Sequence, residues 1–375
     1  MSTKKCYQRL FHKFSIQIKQ SYMSWSSRPG LSISTKSPLA LWYNSDMAIR
    51  VAINGAGRIG RAFYKLAVEH PEIEVIAVND LGERENIEYL LRHDTVYGPW
   101  NGKFDVKFFQ EKDPSRLPWE ELDIDVVVES TGFFASYAGS KAHLDAGAKR
   151  VVVTAPMKDE PIPGIEGGTV LMGVNEDKLS TCLITSNASC TTNAGSPLIA
   201  ILDEAIGIEK AVLNTTHGYT ASQSLVDGPS KRGFREGRAA AQNIVPSTTG
   251  AAIAVTKAFT KLQGLFDGIS MRVPVVAGSL VDVTFIAKRN TTSEEVNNTL
   301  KRAAGEERWK GIFTVTEEEL VSSDILGSPY GSIADLNFTR VVGGNLVKVL
   351  AWYDNEIGYC YTLLDHVIKF GSHIK

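Results

Sequence analysis

A glycine-rich turn near the start of the recognisable sequence places the strongest constraint on the fold of this chain. Residues 48–54 have the length and the branched apolar side chains of a buried strand, and residues 55–60, GAGRIG, follow directly. A helical segment comes next, and a second apolar run, residues 75–79, ends at Asp80. Asp80 lies 20 residues beyond Gly60. This order of strand, G-x-G-x-x-G turn, helix, strand and acid predicts a βαβ unit that binds a dinucleotide.

The residue types of this turn suit a dinucleotide. Glycines let the backbone turn sharply and approach a pyrophosphate, and the N-terminus of the following helix carries partial positive charge. The acid can accept a hydrogen bond from a ribose 2′-hydroxyl and would repel a 2′-phosphate, which favours NAD. A capping loop without a ligand is the alternative. The candidate cofactor-binding residues here are Gly55, Gly57, Arg58, Ile59, Gly60 and Asp80.

Two halves of the chain differ in their strand pattern. In the first half, residues 126–129 and 151–154 add short apolar runs that are typical of parallel strands. After residue 190 the predicted strands are longer, and polar and apolar residues alternate, which favours a mostly antiparallel sheet. We therefore predict an α/β protein, with a Rossmann-type doubly wound parallel sheet domain and an α+β catalytic domain. The strands predicted in the second half are residues 211–217, 268–274, 281–287 and 346–353.

Helices and a long loop complete the second half. Residues 227–250 are rich in Gly, Ser, Arg and Lys and predict an extended loop. Residues 293–304 predict a helix in which Ser293 is the cap and acids occupy the first turn. A last helix is predicted at about residues 359–370.

The octapeptide SNASCTTN, residues 186–193, lies between an apolar run at 182–185 and a helical segment at 194–202. Cys190 is thus predicted at a strand-to-helix turn, where the helix N-terminus favours a thiolate. A buried structural cysteine is the ordinary alternative. Core positions are not usually flanked by Ser, Thr and Asn, so the pattern favours a nucleophile beside an oxyanion site.

This octapeptide, followed by His217-Gly218-Tyr219-Thr220, resembles the active site of type I, phosphorylating glyceraldehyde-3-phosphate dehydrogenases, and the resemblance covers about residues 47–370. It implies NAD-dependent oxidation and phosphorylation of D-glyceraldehyde 3-phosphate to 1,3-bisphosphoglycerate. Cys190 would form a thiohemiacetal and then a thioester, with His217 as the base. Two alternatives stay open: an erythrose-4-phosphate dehydrogenase, which hydrolyses its thioester, and a catalytically idle NAD-binding interaction protein.

The resemblance also implies the ligand contacts. Thr131, Gly132 and Thr154 would line the cofactor site, and Asn355 would fix the nicotinamide carboxamide. The loop at 227–250 resembles the S-loop of the family, which implies a homotetramer. Thr220 and Arg272 would hold the substrate's own phosphate, and Arg238 in the long loop would add charge. The attacking inorganic phosphate would be held by Ser189, Thr191, Thr249 and Gly250.

Composition limits the remaining function classes. A net charge of −2 and the lack of a long apolar run indicate neither a nucleic-acid nor a membrane partner. The four cysteines have no zinc or redox spacing, so we predict no metal and a reducing compartment. These cysteines are Cys6, Cys182, Cys190 and Cys360.

Residues 1–46 differ from the rest of the chain, with seven Lys or Arg, ten serines and one acid. They resemble an organelle transit peptide, and the alternatives are a disordered tail or a true start at Met47. We expect a cytoplasmic protein, or an organellar one if this segment is a transit peptide. Beyond it we predict an NAD-binding domain at 47–190, a catalytic domain at 191–355, and a C-terminal helix at 356–375 that packs back on the first domain.

Overall fold

The computed structural model describes residues 48–374. The predictions for residues 1–46 and for Cys6 lie outside the described residues. Within the described range, none of the helices is both long enough and apolar enough to cross a membrane.

A parallel sheet forms the first half of the described chain, and short apolar runs such as VAIN and VVV supply its buried strands. Within residues 48–374 this sheet has seven strands in the order β5-β2-β1-β6-β7-β9-β8, and every neighbouring pair is parallel. In chain order the elements are β1 (Ile49–Asn54), α1 (Arg58–Ala67), β2 (Ile73–Asn79), α2 (Arg84–Arg92), β3 (His93–Asp94), β4 (Gly98–Pro99), β5 (Lys107–Phe109), β6 (Val126–Glu129), α3 (Tyr137–Asp145), β7 (Arg150–Val153), β8 (Gly167–Thr169) and β9 (Ile184–Ser186).

A second, mixed sheet forms the other half. Its order within the described residues is β11-β12-β10-β13-β16-β15-β14. The pairs β10–β12 and β14–β15 are parallel and the other four are antiparallel, which confirms a mostly antiparallel sheet. The elements are α4 (Cys190–Ile206), β10 (Ile208–Gly218), β11 (Val245–Thr248), α5 (Ala251–Ala258), β12 (Phe266–Val273), β13 (Ser279–Ala287), α6 (Ser293–Ala304), β14 (Phe313–Thr316), β15 (Ser332–Val342), β16 (Leu346–Tyr353) and α7 (Ile357–Gly371).

Two helices connect the halves. Helix α4 is buried along most of its length and packs against strands of the second sheet, with Leu198, Ile199 and Leu202 in the core. Helix α7 packs against α1, so the C-terminal helix contacts the parallel-sheet half. The site residues at the N-terminus of α4 therefore lie where the two sheets meet.

The sequence predictions differ from the structure at several boundaries. Thr292, not Ser293, caps α6: it has extended backbone angles, and its hydroxyl accepts a hydrogen bond from the Glu295 N–H at 3.1 Å. Ser293 is already the first helical residue, so it cannot be the N-cap. The long loop at 227–250 is not wholly irregular, because β11 pairs with β12.

Candidate active site

Cys190 is the first residue of α4, directly after the turn that leaves β9. Ser189 caps the helix, and its hydroxyl accepts a hydrogen bond from the Thr192 N–H at 3.1 Å. Ala188 has a φ of 55°, in the left-handed region that residues other than glycine rarely adopt. The turn therefore aims the Cys190 side chain from a helix N-terminus, as the sequence predicted.

Polar residues of the octapeptide stabilise the strained turn. The amide nitrogen of Asn193 donates to the carbonyl oxygens of Asn187 at 2.7 Å and Ser189 at 3.0 Å. The Tyr359 hydroxyl, on α7, donates to the Ala188 carbonyl at 3.3 Å. Buried backbone groups need such partners. The asparagines thus hold the backbone that presents the sulfur.

His217 contacts the cysteine. It lies near the end of β10, and its Nε2 is 3.4 Å from the Cys190 Sγ. The Nδ1 atom of His217 is 2.7 Å from the Gly218 carbonyl oxygen, which can only accept a hydrogen bond. When Nδ1 donates to that carbonyl, Nε2 keeps its lone pair for the thiol proton. The geometry therefore allows proton transfer from sulfur to imidazole.

Burial opposes an isolated charge on either member of the pair. It raises the pKa of the Cys190 thiol, and the positive charge of Arg272 acts in the opposite direction. Burial and the same Arg272 charge lower the pKa of His217 to about 3. The helix N-terminus favours the thiolate as predicted, but burial is the larger effect on the thiol. Both shifts favour the neutral thiol and the neutral imidazole. A charged pair therefore requires that the proton pass directly from one side chain to the other, so that the thiolate and the imidazolium stabilise each other.

Arg272 lies beside this pair. Residues His217 of β10 and Arg272 of β12 are register partners in the parallel ladder, and the Arg272 Nη1 is 2.6 Å from the His217 Nδ1. The guanidinium can only donate, so it competes with the Gly218 carbonyl for Nδ1, and the tautomer that donates from Nδ1 to the carbonyl cannot also accept from Arg272. Thr220, two residues beyond β10, exchanges a hydrogen bond with Ser222 at 2.9 Å between their hydroxyl oxygens. A cation beside the Cys190–His217 pair suits an anionic group.

The Thr191 side chain contacts Tyr353, which the sequence did not indicate as a site residue. The Tyr353 hydroxyl lies 2.8 Å from the Thr191 hydroxyl and 2.8 Å from the Thr215 hydroxyl. The Tyr353 ring meets the His217 ring edge-on, with 5.9 Å between centroids. Tyr353 ends β16, 163 residues beyond Cys190, so no local sequence signal could identify it.

The other predicted phosphate residues lie at a second helix start and on the long loop. Gly250 is the N-cap of α5, and the Thr249 hydroxyl accepts a hydrogen bond from the Ala251 N–H at 3.2 Å. Helix α5 packs against α4. Arg238, in contrast, is exposed and pairs with Asp227 at 3.0 Å. Its guanidinium is thus already neutralised by a carboxylate of the same loop.

The glycine turn has the shape of a pyrophosphate cradle. Gly55 has a φ of 101°, and a Cβ there would lie 2.7 Å from the Thr131 N. A Cβ on Gly57 would meet no atom within 4 Å, so open space lies in front of the α1 N-terminus. Asp80 accepts hydrogen bonds from the Ala56 N–H at 2.6 Å and holds its carboxylate at this turn. These residues fit a dinucleotide.

A buried carboxylate, also missed from the sequence, orders the neighbouring loop. Glu129 ends β6 and accepts hydrogen bonds from the Thr131 N–H at 2.8 Å and from the Asn54 amide at 2.5 Å. Its backbone carbonyl accepts a bond from the Thr154 hydroxyl at 3.1 Å. Gly132 follows with a φ of 73°. The predicted cofactor residues Thr131 and Thr154 therefore share one partner.

Asn355 lies between β16 and α7. Its amide oxygen accepts hydrogen bonds from the Gly278 N–H and from the Ser279 hydroxyl, both at 3.0 Å. Because the amide oxygen accepts both hydrogen bonds, the amide nitrogen points away from these donors. The Asn355 nitrogen can therefore donate to a ligand. Within residues 48–374, no cluster of three or more His, Cys, Asp or Glu could hold a metal ion.

Comparisons with known proteins identify the family of this chain. The family model described as "Glyceraldehyde 3-phosphate dehydrogenase, NAD binding domain" matches residues 49–137, and the model of the C-terminal domain matches residues 189–355. A glyceraldehyde-3-phosphate dehydrogenase of Streptomyces coelicolor is 43% identical over 343 residues, 88% of this chain and 100% of the relative. One of Clostridium pasteurianum is 42% identical over 87% of this chain and 99% of its own length. Glyceraldehyde-3-phosphate dehydrogenase 1 of Bacillus subtilis is 43% identical over 85% of this chain and 97% of its own length.

Proposed function

Because this chain belongs to the glyceraldehyde-3-phosphate dehydrogenase family, we propose that Cys190 and His217 are its catalytic nucleophile and base. The chain is an NAD-dependent oxidoreductase that acts on glyceraldehyde 3-phosphate. The observation that carries the residue assignment is the 3.4 Å contact between the Cys190 Sγ and the His217 Nε2.

The cofactor site is assigned to the residues that fit it. The open space at Gly57 and the N-terminus of α1, with Arg58 and Ile59 supplying backbone N–H groups, would hold the pyrophosphate. Asp80 would bind the ribose, and Asn355 would donate to the carboxamide. When bound, NAD supplies the hydride acceptor of the reaction. The loop residues Gly55, Gly60, Thr131, Gly132 and Thr154 shape the wall of this site.

The chemistry begins at sulfur. The Cys190 thiolate attacks the aldehyde carbon and forms a thiohemiacetal. His217 then accepts the hydroxyl proton at Nε2 while the carbon loses a hydride, and a thioester remains on Cys190. An oxygen of inorganic phosphate attacks the thioester carbon, the C–S bond breaks, and an acyl phosphate leaves. The thioester conserves the free energy of aldehyde oxidation, which hydrolysis would lose.

Two phosphate groups require separate positions beside the sulfur. Arg272 and Thr220 would hold the substrate's own phosphate, since the guanidinium lies next to His217. The attacking phosphate would lie at the N-termini of α4 and α5, near Ser189, Thr191, Thr249 and Gly250. Arg238 would add charge there only after its ion pair with Asp227 opens.

Exposed apolar side chains support a homotetramer. Val212 and Ile269 are more than half exposed on neighbouring strands of the second sheet, and Phe234 on the long loop is 98% exposed. Apolar patches of this kind are typical of association surfaces. The assembly proposed for this chain buries them between subunits in the cytoplasm, and light scattering that finds a stable, active monomer would contradict it.

Phosphate dependence tests the proposed reaction. Water is far more concentrated than phosphate, so phosphorolysis needs a bound and oriented phosphate. We expect steady NADH formation from glyceraldehyde 3-phosphate only with phosphate or arsenate, and a single burst that stalls without them. Undiminished turnover in phosphate-free buffer would contradict the proposal and favour the hydrolytic alternative.

A further inference from the structure

We propose that Arg58 and Glu356 are positioning residues: their ion pair ties the helix at the pyrophosphate end of the cofactor site to Asn355 at the nicotinamide end. The inference rests on the proposed function, because it assumes that Asn355 orients the nicotinamide. It assigns the Arg58 side chain a role that the glycine motif alone does not indicate.

The Arg58 guanidinium is already neutralised by carboxylates. Its Nε donates to the Glu356 Oε1 at 2.9 Å and its Nη2 to the Glu356 Oε2, which makes the contact bidentate. Its Nη1 donates to the Asp94 Oδ2 at 2.9 Å, and Lys65 lies 3.7 Å from the same carboxylate. Two carboxylates thus face Arg58, which leaves it little charge for a cofactor phosphate. The α1 backbone remains free for that role.

Both neighbours of Asn355 are fixed from outside α7. Asp354 is fully buried and accepts hydrogen bonds from the Tyr97 hydroxyl at 2.8 Å and the Gly327 N–H at 2.7 Å. Glu356, on the other side, is held by Arg58. Tyr97 follows α2 and Arg58 begins α1, so both partners belong to the parallel-sheet half.

One pair of side chains therefore links the two ends of the cofactor site. Arg58 is the first residue of α1, directly behind the open space at Gly57. Glu356 is the residue after Asn355, whose amide oxygen is fixed by Gly278 and Ser279. Because Asn355 and Glu356 are consecutive, a shift of Glu356 would move the Asn355 backbone and strain these two hydrogen bonds. The Asn355 nitrogen would then be misplaced relative to the carboxamide, while the pyrophosphate site would stay intact.

The Arg58–Glu356 ion pair is partly shielded from solvent, so water weakens it less than a fully exposed pair. The exposed fraction of the side chain is 32% for Arg58 and 12% for Glu356. Bidentate, charge-assisted bonds are stronger and more directional than ordinary ones. Removing Arg58 leaves the Glu356 carboxylate without this partner, whereas removing the Glu356 charge leaves Arg58 paired with Asp94 alone. Glu356→Gln keeps the side-chain shape and removes the charge, and Arg58→Met removes the fork.

The test measures how the nicotinamide is oriented. The variants are Glu356→Gln, Arg58→Met and the double variant, assayed with NAD and with its thionicotinamide analogue. Aldehyde deuterated at carbon 1 reports the face of the ring that receives hydride, read by NMR of the reduced cofactor. The matched control is the exposed bidentate pair Arg289–Glu295 beside α6, with Arg289→Met and Glu295→Gln.

We expect each single variant to raise the KM for NAD about tenfold, the size of losing one charged hydrogen bond. The preference for NAD over the analogue falls, deuterium appears on the minor face, and the KM for the aldehyde stays within about twofold. The double variant is no worse than Arg58→Met, and the control variants match the wild type.

A folded Glu356→Gln protein with an unchanged Tm, native facial selectivity and native analogue preference would overturn the inference. If Arg58→Met does not fold, Glu356→Gln alone decides, because the amide fills the same space. NADH formation by the wild type in the same assay tests the proposed function separately.

Discussion

Two turns in this protein leave a buried strand of the parallel sheet and enter a helix, and they expose different atoms. The turn from β1 to α1 uses glycine: Gly55 is left-handed, and Gly57 leaves space at the helix N-terminus. The turn from β9 to α4 is left-handed at Ala188, which bears a side chain, and it places the Cys190 sulfur at the helix N-terminus. In the proposed reaction, the first turn offers backbone donors to the cofactor, and the second offers the nucleophile.

The difference explains how each turn is stabilised. A glycine turn needs few partners, because glycine adopts positive φ without strain. The Ala188 turn is held by hydrogen bonds from Asn193 and Tyr359. In the proposed reaction, one turn binds the cofactor and the other carries the chemistry. Substitutions in each turn should therefore affect one of these two functions and leave the other.

Cys190→Ser should give the largest effect. The serine hydroxyl is far less acidic than a thiol and a poorer nucleophile, so oxidation should be abolished. NAD binding should stay nearly unchanged, because the glycine turn is untouched. Turnover and NAD titration by fluorescence check both, and retention of even about a tenth of wild-type turnover would refute a covalent role for this sulfur.

His217→Asn should slow turnover by roughly 10²–10⁴-fold, the usual range for the loss of a general base. The amide keeps polar contacts but cannot take the thiol proton. Steady-state kinetics at saturating NAD measure the loss. A variant within about threefold of the wild type would separate His217 from the chemistry.

The two phosphate positions should respond to different substitutions. Thr249→Ala removes a hydroxyl at the start of α5, so it should raise the KM for phosphate more than the KM for the aldehyde. Arg272→Ala should do the reverse, although it also removes the charge beside His217. Equal changes of both KM values in both variants would argue for one shared anion position.

Asp80→Ala should have the smallest effect and act only on the glycine turn. The wild type should strongly prefer NAD, because the carboxylate at the turn repels a 2′-phosphate. The variant should use NADP better, while alkylation of Cys190 stays unchanged. Comparable kcat/KM values for NAD and NADP in the wild type would contradict this role.

The sequence predicted the first turn better than the second for a physical reason. The dinucleotide pattern is local, since its strand, turn, helix and acid all lie within residues 48–80. Cys190 and His217 meet only because β10 returns beside α4, and the resemblance to a family, not periodicity, indicated their contact. Tyr353 bonds to Thr191 and Glu129 bonds to Asn54, and neither tertiary hydrogen bond has a local sequence signal.

Boundaries show a second limit. Thr292 and Ser293 are both good caps, and only backbone angles decide between them. Strand β15 was missed because Asp335 and Asn337 interrupt its apolar alternation, although Asp335 is buried and bonded to the Trp352 indole at 3.0 Å. Polar residues that find partners in the fold look like loop residues in the sequence.

The pH dependence of Cys190 alkylation, compared between the wild type and His217→Asn, tests most directly whether Cys190 and His217 act as a pair. In the wild type the thiol can give its proton to an imidazole 3.4 Å away, so the thiolate is stabilised by the imidazolium. In the variant the proton must leave for solvent while burial still penalises the lone charge. We predict that the apparent pKa of alkylation is higher in His217→Asn than in the wild type. Superimposable pH profiles of alkylation in the two proteins would show that His217 does not take the thiol proton.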